Sequence, residues 1–146
     1  MIYWDYSALI KKYLKEDGSN AVLQRLSIDT VLATSQLTYA EVHATFARKL
    51  REKEISLKTY QETCSLFESD WKAMVIVRLE DKLLPIISSL LARHPLRGAD
   101  SVHLASALYI SEYSRYNSLP FACADKKLLQ AAVSEGLSGW DPLIEL

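Results

Sequence analysis

The chain has 146 residues, 49% of them hydrophobic and 24% charged, with a formal net charge of −1. That length suits one domain with a substantial core, and four glycines and four prolines are too few for a linker-rich or disordered chain. The near-zero charge excludes a global basic field, so a nucleic-acid function must rest on local basic patches or on metal ions that offset acids.

Met1–Trp4 is a short apolar run of the kind that fills a buried parallel strand, and Asp5 ends it. It lacks the charged-then-apolar layout of a secretory signal and is expected to be the first strand of the fold. Ser7–Leu14 follows at helical spacing, stopped by Asp17-Gly18, and a second helix runs from Ser19 or Asn20 to about Leu26. Thr30–Thr34 reads as a second strand. A long helix then spans Leu37–Arg51, with Leu37, Ala40, Ala44, Ala47 and Leu50 as its expected apolar stripe. Ser56 caps a further helix to about Trp71, and the β-branched run Met74–Val77 gives a third strand.

After a helix over about Asp81–Ala92, the loop Pro95-Leu96-Arg97-Gly98 leads into a helix that Asp100 opens and that reaches about Tyr113. Small or apolar residues surround nearly its whole circumference, as in a helix packed on most sides. Leu119–Ala124 forms a fourth strand ended by Asp125, Lys126–Ser134 a helix closed by Glu135-Gly136-Leu137, and Trp140–Ile144 a short edge strand. Alternating strands and helices predict a three-layer α/β/α fold in a single domain, residues 1–146, with a mainly parallel four- to five-stranded sheet. There is no internal repeat or linker. No apolar run is long enough to predict a membrane span. The isolated Cys64 and Cys123 fit reduced thiols in a cytoplasmic protein better than a disulfide or a zinc site.

Asp5 and Asp125 each stand where a strand ends and a helix begins, and Asp100 starts a central helix. In open parallel sheets, ligands bind outside the carboxyl ends of the strands. Glu41 lies one turn inside the long helix, beside its apolar stripe, which directs it toward protein. Two readings remain open at this level. The three aspartates can be separate helix caps, with Thr38-Tyr39-Ala40-Glu41 as a capping box. Alternatively, all four acids converge on a divalent cation.

Ile2-Tyr3-Trp4-Asp5-Tyr6-Ser7-Ala8-Leu9 resembles the opening of the PIN-domain nucleases, an apolar strand ending in Asp before Ser-Ala-Leu. Thr38-Tyr39-Ala40-Glu41-Val42 resembles the second acidic motif of that family, Leu96 to Ala105 the third, including His103, and Phe121 to Leu128 the fourth. The motifs occur in the family's order and cover nearly the whole chain. Two positions depart from the pattern: Cys123 replaces the usual Thr or Ser two residues before the last acid, and Trp4 is bulkier than the usual aliphatic residue.

The resemblance implies a PIN-like fold in which Asp5, Glu41, Asp100 and Asp125 form an acidic pocket for Mg²⁺ or Mn²⁺ and hydrolyse an RNA phosphodiester bond. Asp5 and Asp100 are then the principal metal ligands. Glu41 and Asp125 complete a second metal position or orient water, and Ser7 supports Asp5. His103 is open to a general-base role or a packing role, whereas His43 and His94 have less claim. Arg97, Lys126 and Lys127 are candidate RNA phosphate contacts, against the alternative that they are solvated helix ends.

A PIN-like domain standing alone is similar to a VapC-type toxin. That implies a homodimer and a VapB-like antitoxin whose helical arm lies in an apolar groove, for which Leu9–Tyr13 and Leu57–Leu66 are the candidate walls. The competing readings are a non-catalytic interaction or RNA-binding protein on the same fold, and phosphoryl transfer on Asp5. The latter lacks an acid two residues on, where Ser7 stands.

Overall fold

The computed structural model describes residues 1–28, 31–113 and 118–144. Its strands are β1 (Ile2–Trp4), β2 (Leu32–Ser35), β3 (Val75–Val77), β4 (Pro120–Ala122) and β5 (Ser138–Trp140). They pair in the order β3-β2-β1-β4-β5, every pair parallel. The helices are α1 (Tyr6–Leu9), α2 (Ser19–Ile28), α3 (Leu37–Arg51), α4 (Leu57–Trp71), α5 (Leu84–Arg93), α6 (Gly98–Ser111) and α7 (Lys126–Ser134). From β1 the chain moves outward to β2 and β3, then returns to place β4 on the other side of β1. The reversal of strand order between β1 and β4 is the switch point at which such sheets open a crevice beyond their carboxyl ends.

The alternation of β1 builds a core on each face. Tyr3 points into one, stacked on Phe121 at 5.4 Å and packed with Leu104, Leu128 and Leu90. Ile2 and Trp4 point into the other, with Leu9, Val42, Phe46 and Phe67. Phe67 is the hub of the second core, its ring 5.4 Å from Tyr13, 5.4 Å from His43 and 5.6 Å from Trp71. Helices thus cover both faces of the sheet, which gives the expected three layers. Among the described residues no helix is long and apolar enough to cross a membrane.

Several expectations need correction. The buried side of α3 is Thr38, Val42, Thr45 and Phe46, and Ala40 and Ala44 are exposed. Two threonines that count as polar in a pattern are buried because their hydroxyls find partners: Thr38 with Thr34 at 2.7 Å, and Thr45 donating to the Glu41 carbonyl at 3.0 Å. The capping box does not form, because Thr38 lies inside the helix and Gln36 is the N-cap residue. The expected helix over Ser7–Leu14 is the short α1 followed by a 3-10 turn at Ile10–Lys12, a common way to tighten a helix end. Leu9, Ile10 and Tyr13 are buried core, whereas Leu57 and Leu66 are exposed.

The last strand lies at Ser138–Trp140 rather than Trp140–Ile144. Gly139 allows this: a Cβ there would meet Val133 Cγ2 at 2.8 Å and Leu129 Cδ1 at 2.9 Å, so only glycine lets β5 pack this closely on α7. Of the expected strand over Thr30–Thr34, Thr30 lies outside the described residues.

Candidate active site

Asp5 follows the last residue of β1, and its backbone N–H donates to the Ala122 carbonyl at 2.9 Å. Its side chain is the N-cap of α1, accepting from the Ser7 N–H at 3.1 Å, and it also accepts from the Ser7 hydroxyl at 2.5 Å. Ser7 Oγ in turn accepts the Ala124 N–H at 2.9 Å, which ties the β1 end to the segment after β4. Asp125 is the N-cap of α7, accepting from Leu128 N–H at 3.1 Å. The helix-cap reading therefore holds for both residues, and it does not compete with their meeting across the switch point.

Glu41 and Asp100 do not cap. Asp100 sits in the first turn of α6, and the N-cap there is Arg97 without a side-chain bond. Glu41 projects from α3 to α6, where its Oε1 accepts from His103 Nε2 at 2.6 Å. Asp5 Oδ1 lies 3.5 Å from the same nitrogen. The other ring nitrogen, Nδ1, is 2.9 Å from the Tyr3 hydroxyl. In a neutral ring Nδ1 accepts the Tyr3 proton, and in a charged ring it donates to the hydroxyl oxygen.

Burial opposes charge on His103, but Asp5, Glu41 and Asp100 together hold its pKa above the ordinary histidine value. Tyr3 was not singled out from the sequence. The available signal was a tyrosine in a buried strand, whose hydroxyl must find a partner.

On the outer side, Arg97 Nε is 3.2 Å from Asp100 Oδ2, and its Nη2 is 3.9 Å from Asp125 Oδ2. Two basic side chains therefore link the four acids in pairs, His103 inside and Arg97 at the rim, and Asp5 acts electrostatically on both. As the side chains stand, no three His, Cys, Asp or Glu groups among the described residues enclose a point that could hold an ion.

The chemistry of the set still suits a hard dication, because four carboxylates from separate elements offer the oxygen donors that such ions prefer. Arg97 is itself a cation drawn to the rim between Asp100 and Asp125, and its side chain is 80% exposed. Lys126 and Lys127 are exposed at the start of α7, one and two residues after Asp125.

Cys123 occupies the Thr or Ser position of the family pattern. Its Sγ lies 3.3 Å from the Asp125 N–H and 3.7 Å from Asp5 Oδ2, so the thiol touches the Asp125 backbone and the Asp5 carboxylate. Burial, reinforced by Asp5, pushes its pKa far up and keeps it a neutral thiol. The other histidines are held elsewhere: His43 by Glu68 at 2.8 Å and His94 by Glu135 at 2.7 Å. Several basic groups are likewise paired, Lys11 with Glu16 at 3.0 Å, Lys12 with Asp70 at 2.5 Å and Lys49 with Glu54 at 2.6 Å.

This geometry has relatives. The chain is 30% identical over 136 residues to Ribonuclease VapC45 of Mycobacterium tuberculosis, covering 93% of this chain and 92% of that protein. Its fold is similar to that in the crystal structure of FitAcB from Neisseria gonorrhoeae, with a TM-score of 0.70, 17% identity and coverage of 97% and 98% of the two chains. It is also similar to a chain of a toxin–antitoxin complex from Klebsiella pneumoniae, with a TM-score of 0.68, 15% identity and coverage of 97% and 98%. The sequence profile of the PIN domain matches residues 2–132, so the chain belongs to the PIN-domain family.

Proposed function

We propose that this chain is an endoribonuclease that hydrolyses RNA phosphodiester bonds with the help of Mg²⁺ or Mn²⁺, and that it is the toxin of a toxin–antitoxin pair. One observation carries the reading: Asp5, Glu41, Asp100 and Asp125, from four separate elements, meet at the carboxyl edge of the sheet around His103 and Arg97. Its kinship with a protein named as a ribonuclease supports the reaction, and its likeness to a chain in a toxin–antitoxin complex supports the biological setting.

Asp5 and Asp100 are the principal ligands in this reading, and Glu41 and Asp125 complete the site or orient the attacking water. The bound dication supplies polarisation of a phosphate oxygen and acidification of water. The protein supplies the placement. Ser7 and Cys123 fix the Asp5 carboxylate, and His103 holds Glu41 toward the site. Arg97, Lys126 and Lys127 at the rim draw the phosphate backbone, giving salt-dependent binding to a chain with no net positive charge. A homodimer and a VapB-like antitoxin that closes the acidic pocket complete the proposal, in a cytoplasmic setting.

The deciding experiment incubates purified chain with structured and unstructured RNA, with and without Mg²⁺, beside Asp100→Asn. Cleavage only by the unmutated chain with metal supports the reading. Equal cleavage by Asp100→Asn, or none under any condition, overturns it.

A further inference from the structure

A concavity of about 380 Å³ is lined by residues close in sequence to Asp100 and Asp125. One wall is His94 and Pro95, which directly precede the Leu96-Arg97 segment that enters α6. The other is the stripe Lys127, Gln130, Ala131 and Ser134, residues i, i+3, i+4 and i+7 of one face of α7. We propose that this cleft binds the nucleotide flanking the cleaved phosphodiester bond: its base between Pro95 and Gln130, and its phosphate on Lys127. The proposal rests on the ribonuclease reading and adds a site that the acids do not define.

Three observations favour a nucleotide. The first is chemical. Pro95 and Ala131 give a small apolar floor, while Gln130, Ser134 and His94 offer donors and acceptors suited to a base edge, and Lys127 stands at the end nearer the acids. The volume falls within the range of small-molecule sites.

The second is continuity. Lys127 follows Asp125 by two residues, and Gln130 lies about 7–8 Å along α7 from it at the helical rise, within reach of a nucleotide adjoining the reacting phosphate. Arg97, which spans Asp100 and Asp125, follows Pro95 of the cleft wall by two residues.

The third is preorganisation. Glu135 accepts from Arg93 Nε at 3.0 Å, from Arg93 Nη2 at 2.6 Å and from His94 Nε2 at 2.7 Å, and Arg93 also bonds Ser89. This clamp pins the end of α5 to the end of α7 and holds His94 in the wall. A 630 Å³ cavity lined from α3 and α4 suits RNA less well, because the Glu68 carboxylate stands in it and its lining is remote in sequence from Asp100 and Asp125.

The test uses short fluorescein-labelled single-stranded RNAs that differ at one position next to the cleaved bond. Anisotropy is read without divalent metal and cleavage with it, for the unmutated chain, Lys127→Ala, Gln130→Ala and, as a distant control, Ser65→Ala. Both sites of change in the cleft are exposed, so the fold should survive, and circular dichroism checks that it does.

Lys127→Ala should weaken binding about fivefold to tenfold for every RNA and lower the salt slope by about one. Gln130→Ala should raise KM by a similar factor with kcat nearly unchanged and flatten the preference for one base. Ser65→Ala should match the unmutated chain.

If the unmutated chain cleaves RNA and both cleft variants match it in KM and base preference, the subsite is wrong and the nuclease reading stands; the cleft is then left to a protein segment. If the chain binds RNA through Lys127 and Gln130 but never cleaves it, the nuclease reading fails and with it the cleft's place beside a cleaved bond, leaving an RNA-binding cleft. A chain that binds no RNA overturns both.

Discussion

His103 Nε2 and Glu41 Oε1, 62 positions apart in sequence, lie 2.6 Å apart at the junction of α6 and α3. The Tyr3 hydroxyl at 2.9 Å from Nδ1 fixes the opposite side of the same ring, so a residue of the central strand controls where Glu41 is held. Groups that orient a ligand through a second hydrogen bond commonly matter about 10–100-fold for metal affinity or activity. Tyr3→Phe keeps the stacked ring and removes that bond together with the hydroxyl's contacts to Ser106 and the Ser35 backbone. It should lower kcat about tenfold with the KM for RNA unchanged, and reduce stability by roughly 1–2 kcal/mol for the unpaired nitrogen. Steady-state kinetics and a melting curve on the same preparation separate the two effects.

Metal binding has its own readout. Any ion that binds only the native chain must raise its melting temperature, by about 2.7 kcal/mol of stability at a hundred times Kd. Mn²⁺ should therefore stabilise the unmutated chain. Asp100→Asn removes one charge from a crowded acid cluster, so without metal it should melt no lower than the unmutated chain. With Mn²⁺ its shift should be much smaller. An equal shift in both would remove Asp100 from the ligand set.

Arg97 stands where it competes with a cation for Asp100 and also where it can meet a phosphate. The two roles predict opposite signs for one substitution. Arg97→Ala should bind Mn²⁺ at least as tightly as the unmutated chain, because the 3.2 Å pair with Asp100 is gone. The same variant should bind RNA more weakly, with a salt slope smaller by about one. Calorimetry with Mn²⁺ and anisotropy with RNA read the two terms independently.

The layered fold and the ends of α7 were legible in the sequence, because β-branched runs, helical period and cap residues agreed there, whereas α3 was legible in its span but not in its cap or its buried side. The end of α7 shows why. Gly136, at φ +96°, takes the left-handed position after the helix, and the Leu137 N–H returns to the Ala132 carbonyl at 3.0 Å. The meeting of the acids was legible only as an ordered set of motifs, since each aspartate taken singly reads as a cap, and Asp5 and Asp125 do cap.

What escaped depends on partners distant in sequence. Thr38 and Thr45 are buried because of specific bonds, and the close approach of β5 to α7 rests on the missing side chain of Gly139. Glu41 stands at the margin of the true buried side, with Thr45 on one flank and the exposed Ala44 on the other, and its carboxylate is drawn inward by His103.

Glu135 carries the pH dependence of the clamp between α5 and α7. Burial raises its carboxyl pKa, but the hydrogen bonds from His94 and Arg93 outweigh that and hold it below the ordinary value of 4.5. In the window between those values the unfolded chain binds more protons, so stability rises with pH there. The clamp's contribution is complete above the unfolded value and is lost as pH falls through the folded one. Glu135→Gln keeps the shape and removes the charge, at a cost of about 1–2 kcal/mol near neutral pH. The melting-temperature gap between the two proteins should therefore be widest at neutral pH and close as the pH falls through the lowered folded-state value. A gap that stays constant would mean that Glu135 acts through packing alone. Because the same clamp holds His94 in the wall beside Gln130, Glu135→Gln should also weaken RNA binding at neutral pH, with Asp100-dependent Mn²⁺ stabilisation left intact.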